Sequence, residues 1–169
     1  MIRSFTLLLV AVVGLSACQP AAPRMGTDGR PVPTAYKISH REAEKIPFRM
    51  LDSVNTLRSA SALTPLTLNA QLTAAAATHS RDMQVQNRPW HFGSDGSSPV
   101  DRVQRVGYAG TLVGEVISET YESELETLGA WMSQPDTRRI IMSPDARQMG
   151  FSWFQEDNGK IWWTLVLGS

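Results

Sequence analysis

The sequence predicts an α+β domain in which helices sandwich a small antiparallel sheet and the chain closes in a C-terminal hairpin. Three observations carry that prediction. Apolar residues recur at helical spacing in separate segments before residue 134. Residues 149–167 instead alternate with a period of two around Asp157-Asn158-Gly159. The second strand of that hairpin is apolar on both faces, with Trp162 and Val166 on one and Ile161, Trp163, Leu165 and Leu167 on the other. Such a strand needs cover on both sides.

Pro47 suits the first turn of a helix, and Met50, Val54 and Leu57 follow at helical spacing, so the first helix spans about 47–59. Pro65 argues against a central strand in the connector 63–68. Asn69 is a natural N-cap. Leu72, Ala76, His79 and Met83 then form one stripe, giving a second helix over about 70–85, where Ala74 to Ala77 permit close packing. Residues 87–110 hold six glycines or prolines and little apolar periodicity. That is a long loop, and long loops in compact domains tend to carry function. Inside it, Ser98 as N-cap and Pro99 in the first turn predict a short helix over 99–106. Thr111 to Ser118 has the β-branched content of a strand. Tyr121, Leu125, Leu128 and Met132 predict a third helix over about 121–133, its early glutamates suiting the positive end of the helix dipole. Asn158-Gly159 predicts the tight turn of the hairpin.

The 169 residues are 42% hydrophobic and 19% charged, which fits one globular domain and excludes a disordered chain. Formal net charge is zero and the pI is near 6.8, so the basic surplus of a nucleic-acid binder is missing. A single cysteine excludes an internal disulfide and any structural zinc site built on two or more thiolates. No apolar run approaches the ~20 residues that a bilayer span requires.

Arg3 precedes an apolar run from Phe5 to Leu15, which ends in Leu15-Ser16-Ala17-Cys18. This segment resembles the lipobox of bacterial lipoproteins. The resemblance implies a signal peptide over 1–17, cleavage before Cys18, and diacylglyceryl and palmitate-type acyl groups on that cysteine. Two or three acyl chains anchor a protein durably where one does not. Gln19 in place of an aspartate implies the outer membrane of a Gram-negative bacterium. Pro20, Pro23, Gly26, Gly29, Pro31 and Pro33 make residues 18–36 a tether. As a flexible coil, ~16 residues of it reach roughly 20–25 Å. The folded domain is then 37–169.

The chemistry-bearing motifs are mostly missing. There is no Gly-x-Ser-x-Gly elbow, no Walker loop and no Gly-x-Gly-x-x-Gly. His40, His79 and His91 are too far apart in sequence to form a helical ligand pair. His91 with Glu115 would supply only two metal ligands, an incomplete set beside the three of a catalytic zinc site. His79 lies on an apolar helical face and reads as a buried, hydrogen-bonded imidazole. Glu115 lies in an otherwise apolar strand, so folding removes it from water. A desolvated acid marks a functional site, or it caps a loop or pairs with Arg102; the sequence leaves these readings open.

Several motifs recur in a fixed order. They are Asn55, Arg58 and Pro65-Leu66; Ala75 to Met83 around His79; His91 to Pro99 followed by Asp101-Arg102; Gly107-Tyr108; Gly114-Glu115; Trp131-Met132; and Gly150. Together, over 51–167, they resemble the CAP superfamily of cysteine-rich secretory, antigen 5 and pathogenesis-related proteins, in its bacterial branch. The resemblance implies a three-layer α-β-α sandwich, with the CAP domain at 37–169. It also implies a cavity lined by two histidines and two glutamates that holds a divalent metal in many members. Here His91 matches the first histidine and Glu115 the first glutamate, with Val116 where asparagine is usual. Gln134 stands in place of the second glutamate and Thr137 in place of the second histidine. An amide and a hydroxyl are poor zinc ligands, so the expectation is no resident cofactor and at most weak divalent-metal binding, with His79, Asp82 or Asp95 as substitute ligands. The expected ligand cleft comprises His91, Glu115, Gln134 and Thr137, bordered by Trp90.

The function implied is a non-enzymatic binding module, held to a membrane by Cys18 and recognising a lipid, an envelope polymer or a partner protein. The alternative is a hydrolase of envelope material using Glu115 and His91 as its catalytic pair. A structural spacer is the third reading. No nucleic-acid partner is expected.

Overall fold

A computed structural model describes residues 37–120 and 123–169 of the chain. The expected signal peptide (1–17), lipidated Cys18 and tether (18–36) lie outside the described residues, as does Tyr121. In chain order the elements are α1 (His40–Ala43), α2 (Ile46–Ala60), β1 (Thr67–Leu68), α3 (Ala70–Gln86), α4 (Pro99–Arg105), β2 (Leu112–Thr120), α5 (Glu124–Ser133), α6 (Pro135–Ile141), β3 (Gln148–Gln155) and β4 (Ile161–Gly168). No described helix is long and apolar enough to cross a membrane.

The sheet runs β1-β3-β4-β2. β4 lies between β3 and β2 and pairs antiparallel with both, while β1 adds a short parallel edge to β3. All eight residues of β4 are buried, as a strand apolar on both faces requires. On one face Ile161, Trp163, Leu165 and Leu167 join Met149, Phe151 and Val116 against Ile46, Met50 and Val54 of α2, Leu128 and Trp131 of α5, and Ile141 of α6. Phe151 stacks on Trp163 with ring centroids 5.6 Å apart. On the other face Val166 packs against Leu72, Ala75 and Ala76 of α3 and Val103 of α4. The Ser80 hydroxyl of α3 donates to Thr164 Oγ1 at 2.9 Å, so that polar pair is satisfied inside the layer. The result is the α-β-α sandwich expected from the sequence.

Local chemistry sets the helix ends. The Asn69 side chain accepts from the Leu72 N–H, and Ser98 and Ser123 each close a capping box, with Asp101 and Glu126 respectively. The Ser123 cap corrects one boundary: α5 begins at Glu124, not near 121. The hairpin turn is also corrected. Asp157 and Asn158 are its central residues, the Gly159 N–H donates to the Glu156 carbonyl at 2.9 Å, and only Gly159 has positive φ, at 96°. Asn-Gly is therefore not the two-residue loop; glycine follows the turn in the left-handed position. The sequence reading did not anticipate α1, α6 or the two-residue β1.

Gly150 is where α3 approaches β3 most closely. A Cβ there would lie 2.0 Å from Leu72 C and 2.2 Å from Thr73 N, both backbone atoms that cannot swing aside. Gly150→Ala is expected to lose about 3 kcal/mol of stability, read as a lower urea midpoint with unchanged m-value.

Candidate functional site

The site is assembled by the chain between α3 and β2. α3 ends at Asn87 in the left-handed conformation, φ 48°, and the Arg88 N–H caps the Met83 carbonyl at 3.1 Å. The chain then presents Trp90, His91 and Phe92. Asp82 of α3 accepts from the Ser94 N–H at 2.6 Å and the Ser94 hydroxyl at 2.5 Å, which ties the following loop back to the helix. The Ser98 capping box starts α4, and its first full turn aims Arg102 inward.

Arg102 is the hub. Its Nη1 donates to the Ser97 carbonyl at 3.0 Å and its Nη2 to the His91 carbonyl at 3.0 Å, fixing both ends of the loop. Nη2 also reaches both oxygens of Glu115, at 2.9 and 2.8 Å. Glu115 stands opposite Val166 in the sheet and so faces the α3–α4 layer. His91 Nδ1 donates to Glu115 Oε1 at 2.8 Å. His79 Nε2 lies 2.9 Å from the Trp90 carbonyl and 3.5 Å from the same Oε1.

The charges follow from burial. The Glu115 side chain is 2% exposed and that of Arg102 4%. Burial alone would push the Glu115 carboxyl up, but the His91 hydrogen bond and the nearby cationic charge outweigh it and hold the group below the usual carboxylate range. His79 behaves oppositely: burial holds its imidazole below the usual range, against the pull of Glu115. His79 is therefore neutral at pH 7, its one N–H goes to the Trp90 carbonyl, its approach to Glu115 is a close contact only, and the ion pair belongs to Arg102. A carbonyl only accepts, so His79 carries its proton on Nε2; its Nδ1 is buried and unpartnered.

The His91 side chain is 49% exposed and forms the outer end of this chain of contacts. Its neighbours are aromatic. The Trp90 and Phe92 rings meet at 5.5 Å, and the Arg88 guanidinium lies 4.0 Å over Trp90. Phe92 is exposed, and Trp90 is half-buried with its indole N–H on Gln86 Oε1 at 2.7 Å.

Thr137 and Gln134 are placed differently. The Thr137 hydroxyl donates to the Trp131 carbonyl and, at 3.3 Å, to that of Gln134, closing the turn between α5 and α6. Gln134 is the exposed N-cap of α6. Among the described residues no hydrogen bond joins either side chain to His91 or Glu115. Arg102 appeared in the sequence only as a candidate partner of Glu115; its hold on two loop carbonyls carried no sequence signal.

The residues do not fit the divalent-metal centre that the resemblance implies. Arg102 covers both oxygens of the carboxylate that would ligate. Among the described residues, no group of three or more His, Cys, Asp or Glu side chains is arranged to hold a metal ion. Arg102 also lines a cleft of about 330 Å³ with Thr78, Asp82, Ser94, Asp95 and Arg105. Neither His91 nor Glu115 lines it, and two of its charges, Arg105 and Asp95, pair with each other at 2.5 Å.

Residues 51–167 match the family described as CAP: Cysteine-rich secretory protein family. The chain is 26% identical over 120 residues to the uncharacterized protein YkwD of Bacillus subtilis (strain 168), covering 71% of this chain and 46% of that protein, so it spans less than half the length of that relative. Two solved structures share the fold. An outer surface protein from Borrelia burgdorferi matches with a TM-score of 0.69 at 17% identity, over 80% of this chain and 98% of that one. An extracellular protein containing an SCP domain from Bacillus anthracis str. Ames matches with a TM-score of 0.66 at 20% identity, over 79% of this chain and 45% of that one.

The two buried groups each add to the acid sensitivity, beside the exposed carboxylates of Glu42, Asp95, Asp101 and Glu126, which are also held low. His79 and Glu115 are both held below their unfolded values, so the unfolded chain binds more protons in acid and stability falls as pH falls. The His79 part begins below about pH 6.5 and the Glu115 part below about pH 4.3. Each contributes a slope of up to ~1.4 kcal/mol per pH unit. Urea melts from pH 7.5 to 4 are expected to show both, and His79→Gln to remove the upper slope while leaving the lower.

Proposed function

The chain belongs to the cysteine-rich secretory protein (CAP) family, and from that premise we propose that it is a lipid-anchored envelope protein whose CAP domain binds an envelope polymer at His91 without cleaving it. One observation carries this reading: the grip of Arg102 on both oxygens of Glu115. A carboxylate so held has no proton to give at neutral pH and is a weak base, which removes the acid–base partner a hydrolase of the Glu115–His91 type needs. What Glu115 does well is orient. With Nδ1–H donated to the carboxylate, Nε2 is the ring nitrogen of His91 left to meet a ligand. A ligand hydroxyl or amide N–H donates to that nitrogen, and Phe92 and Trp90 offer apolar surface for the flat faces of sugar rings beside it. A glycan-containing polymer presents both features.

The envelope location is supported by the lipobox-like Leu15-Ser16-Ala17-Cys18, and by fold neighbours named as outer-surface and extracellular proteins. The anchor is the acylated Cys18, the segment 19–36 is the tether, and the outer membrane of a Gram-negative bacterium is the site of display.

Sedimentation with purified cell-wall glycan tests the reading. The wild-type chain is expected to co-sediment, and His91→Ala and Phe92→Ala each to weaken binding about tenfold or more, the loss of one good polar or aromatic contact, with unchanged circular dichroism. Equal binding by all three would sink it.

A second reading rests on a separate observation. Leu57 of α2 and Leu125, Leu128 and Met132 of α5 line a groove of about 410 Å³, with Gly129 on its wall and Ser53 and Thr56 beside it. A single acyl chain fits such a surface, which favours a lipid ligand there. A Cβ at Gly129 would meet no atom within 4 Å, so Gly129→Leu fills the groove without strain. If lipid binds there, that variant should lose displacement of a fluorescent fatty acid while keeping or raising its melting temperature.

A further inference from the structure

The CAP resemblance implies a metal where this chain has already placed a cation. Arg102 is buried and donates from one nitrogen to both Glu115 oxygens. The two backbone carbonyls of His91 and Ser97 hold it there from the other direction. Around the same carboxylate stand two imidazoles, His91 at 2.8 Å and His79 at 3.5 Å from one shared oxygen. The other ring nitrogen of His79, Nδ1, is buried and has no hydrogen-bond partner among the described residues. Two imidazoles and a carboxylate are zinc-type donors by kind, but with Arg102 in place they are not arranged as a metal site, and the positive charge among them is a guanidinium.

We propose that Arg102 is a resident cation, supplying to Glu115 and the two histidines the positive charge that a divalent metal would supply, so that the His91–Glu115 cluster works without metal and accepts one only when the guanidinium is removed. This goes beyond the choice of ligand: it holds whether His91 meets a glycan, a lipid headgroup or a protein. Arg102 is in these terms a positioning residue, acting on the ligand through Glu115 and His91. An ordinary structural ion pair would lose stability on truncation and gain nothing. A guanidinium that stands in for a metal leaves behind a carboxylate and two imidazoles free to turn and ligate.

The test uses the full-length protein with zinc chloride as the probe, reading thermal melts and competition with a chromophoric chelator. Wild type is expected to shift by less than about 1 °C at zinc concentrations that saturate the variant. Arg102→Met is expected to melt roughly 10–20 °C lower without zinc, because a buried carboxylate has lost its partner. Zinc should then restore roughly half of that loss or more. His91→Ala in the Arg102→Met background should abolish the zinc response, and Arg102→Lys, which keeps a cation, should show none. If Arg102→Met does not fold alone, refolding with and without zinc, followed by the near-ultraviolet signal of the tryptophans, reads the same question. A His91-dependent zinc shift in wild type overturns the proposal. So does an Arg102→Met chain, folded or refolding, that ignores zinc.

Discussion

Everything in this domain is arranged around a strand that water cannot reach. β4 is buried at all eight positions, so neither of its faces can be left to solvent. Its two hydrogen-bonding edges are taken by β3 and β2. The two faces then require separate covers, α2 with α5 and α6 on one side and α3 with α4 on the other. The two covers differ in character. The first is a thick aromatic and aliphatic layer in which Phe151 stacks on Trp163. The second is thin, with alanines of α3 against Val166 and the backbone of α3 lying on Gly150. A thin layer brings α3 close enough to the sheet for His79 to reach a strand residue. It leaves the long segment after α3 to cover the rest, and the polar cluster forms there.

Glu115 is the consequence. Its register opposite Val166 commits it to the thin side, where burying an unpaired carboxylate would cost several kcal/mol. The loop from Trp90 to Ser98 and the first turn of α4 supply what it lacks. Arg102 neutralises it, and the same guanidinium is fixed by the His91 and Ser97 carbonyls, so loop order and carboxylate charge depend on one another. His91 inherits its orientation from both ends: its carbonyl is held by Arg102 and its ring by Glu115. That gives preorganisation at a half-exposed imidazole, a property that serves recognition as readily as catalysis.

How far this was legible from the chain depended on the kind of signal. Helices α2 and α3 and the C-terminal strands announce themselves because their apolar residues repeat with the period of the element. The caps at Asn69 and Ser98 were legible because short polar side chains at a helix start have few other uses. The start of α5 was misread because Tyr121 extends the apolar stripe past the point where Ser123 stops the helix. Helix α6 was missed because Pro135 and the largely charged run Asp136 to Arg139 hide about two turns behind a loop-like composition. In the site, His91 and Glu115 were found through motif order. Gln134 and Thr137 were placed in the cleft by the same motif reading, while their hydrogen bonds serve the α5–α6 turn. The hub was partly visible: the sequence offers Arg102 as a candidate partner of Glu115 and within a motif, but only the fold shows that it also holds the His91 and Ser97 carbonyls.

Two arginines are buried among the described residues, and the contrast between them supports the proposal that this cluster is the functional one. Arg58 is fully buried, and its guanidinium ends on the carbonyls of Thr64, Ile141, Ser143 and Ala146. Every contact is to backbone, the set is closed, and what it achieves is to bind the chain after α2 to the chain after α6. Arg102 begins the same way, with two carbonyls, but its remaining contacts go to Glu115 and through it to His91, half of whose side chain lies in solvent. A buried charge that terminates on backbone stabilises a fold. One that is passed through a carboxylate to an exposed imidazole stabilises the fold only by also fixing the geometry of a surface group. Had burial been the whole purpose, an apolar pair at positions 102 and 115 would have served equally well or better. The ion pair beneath His91 therefore supports the proposal that the cluster serves to orient that imidazole.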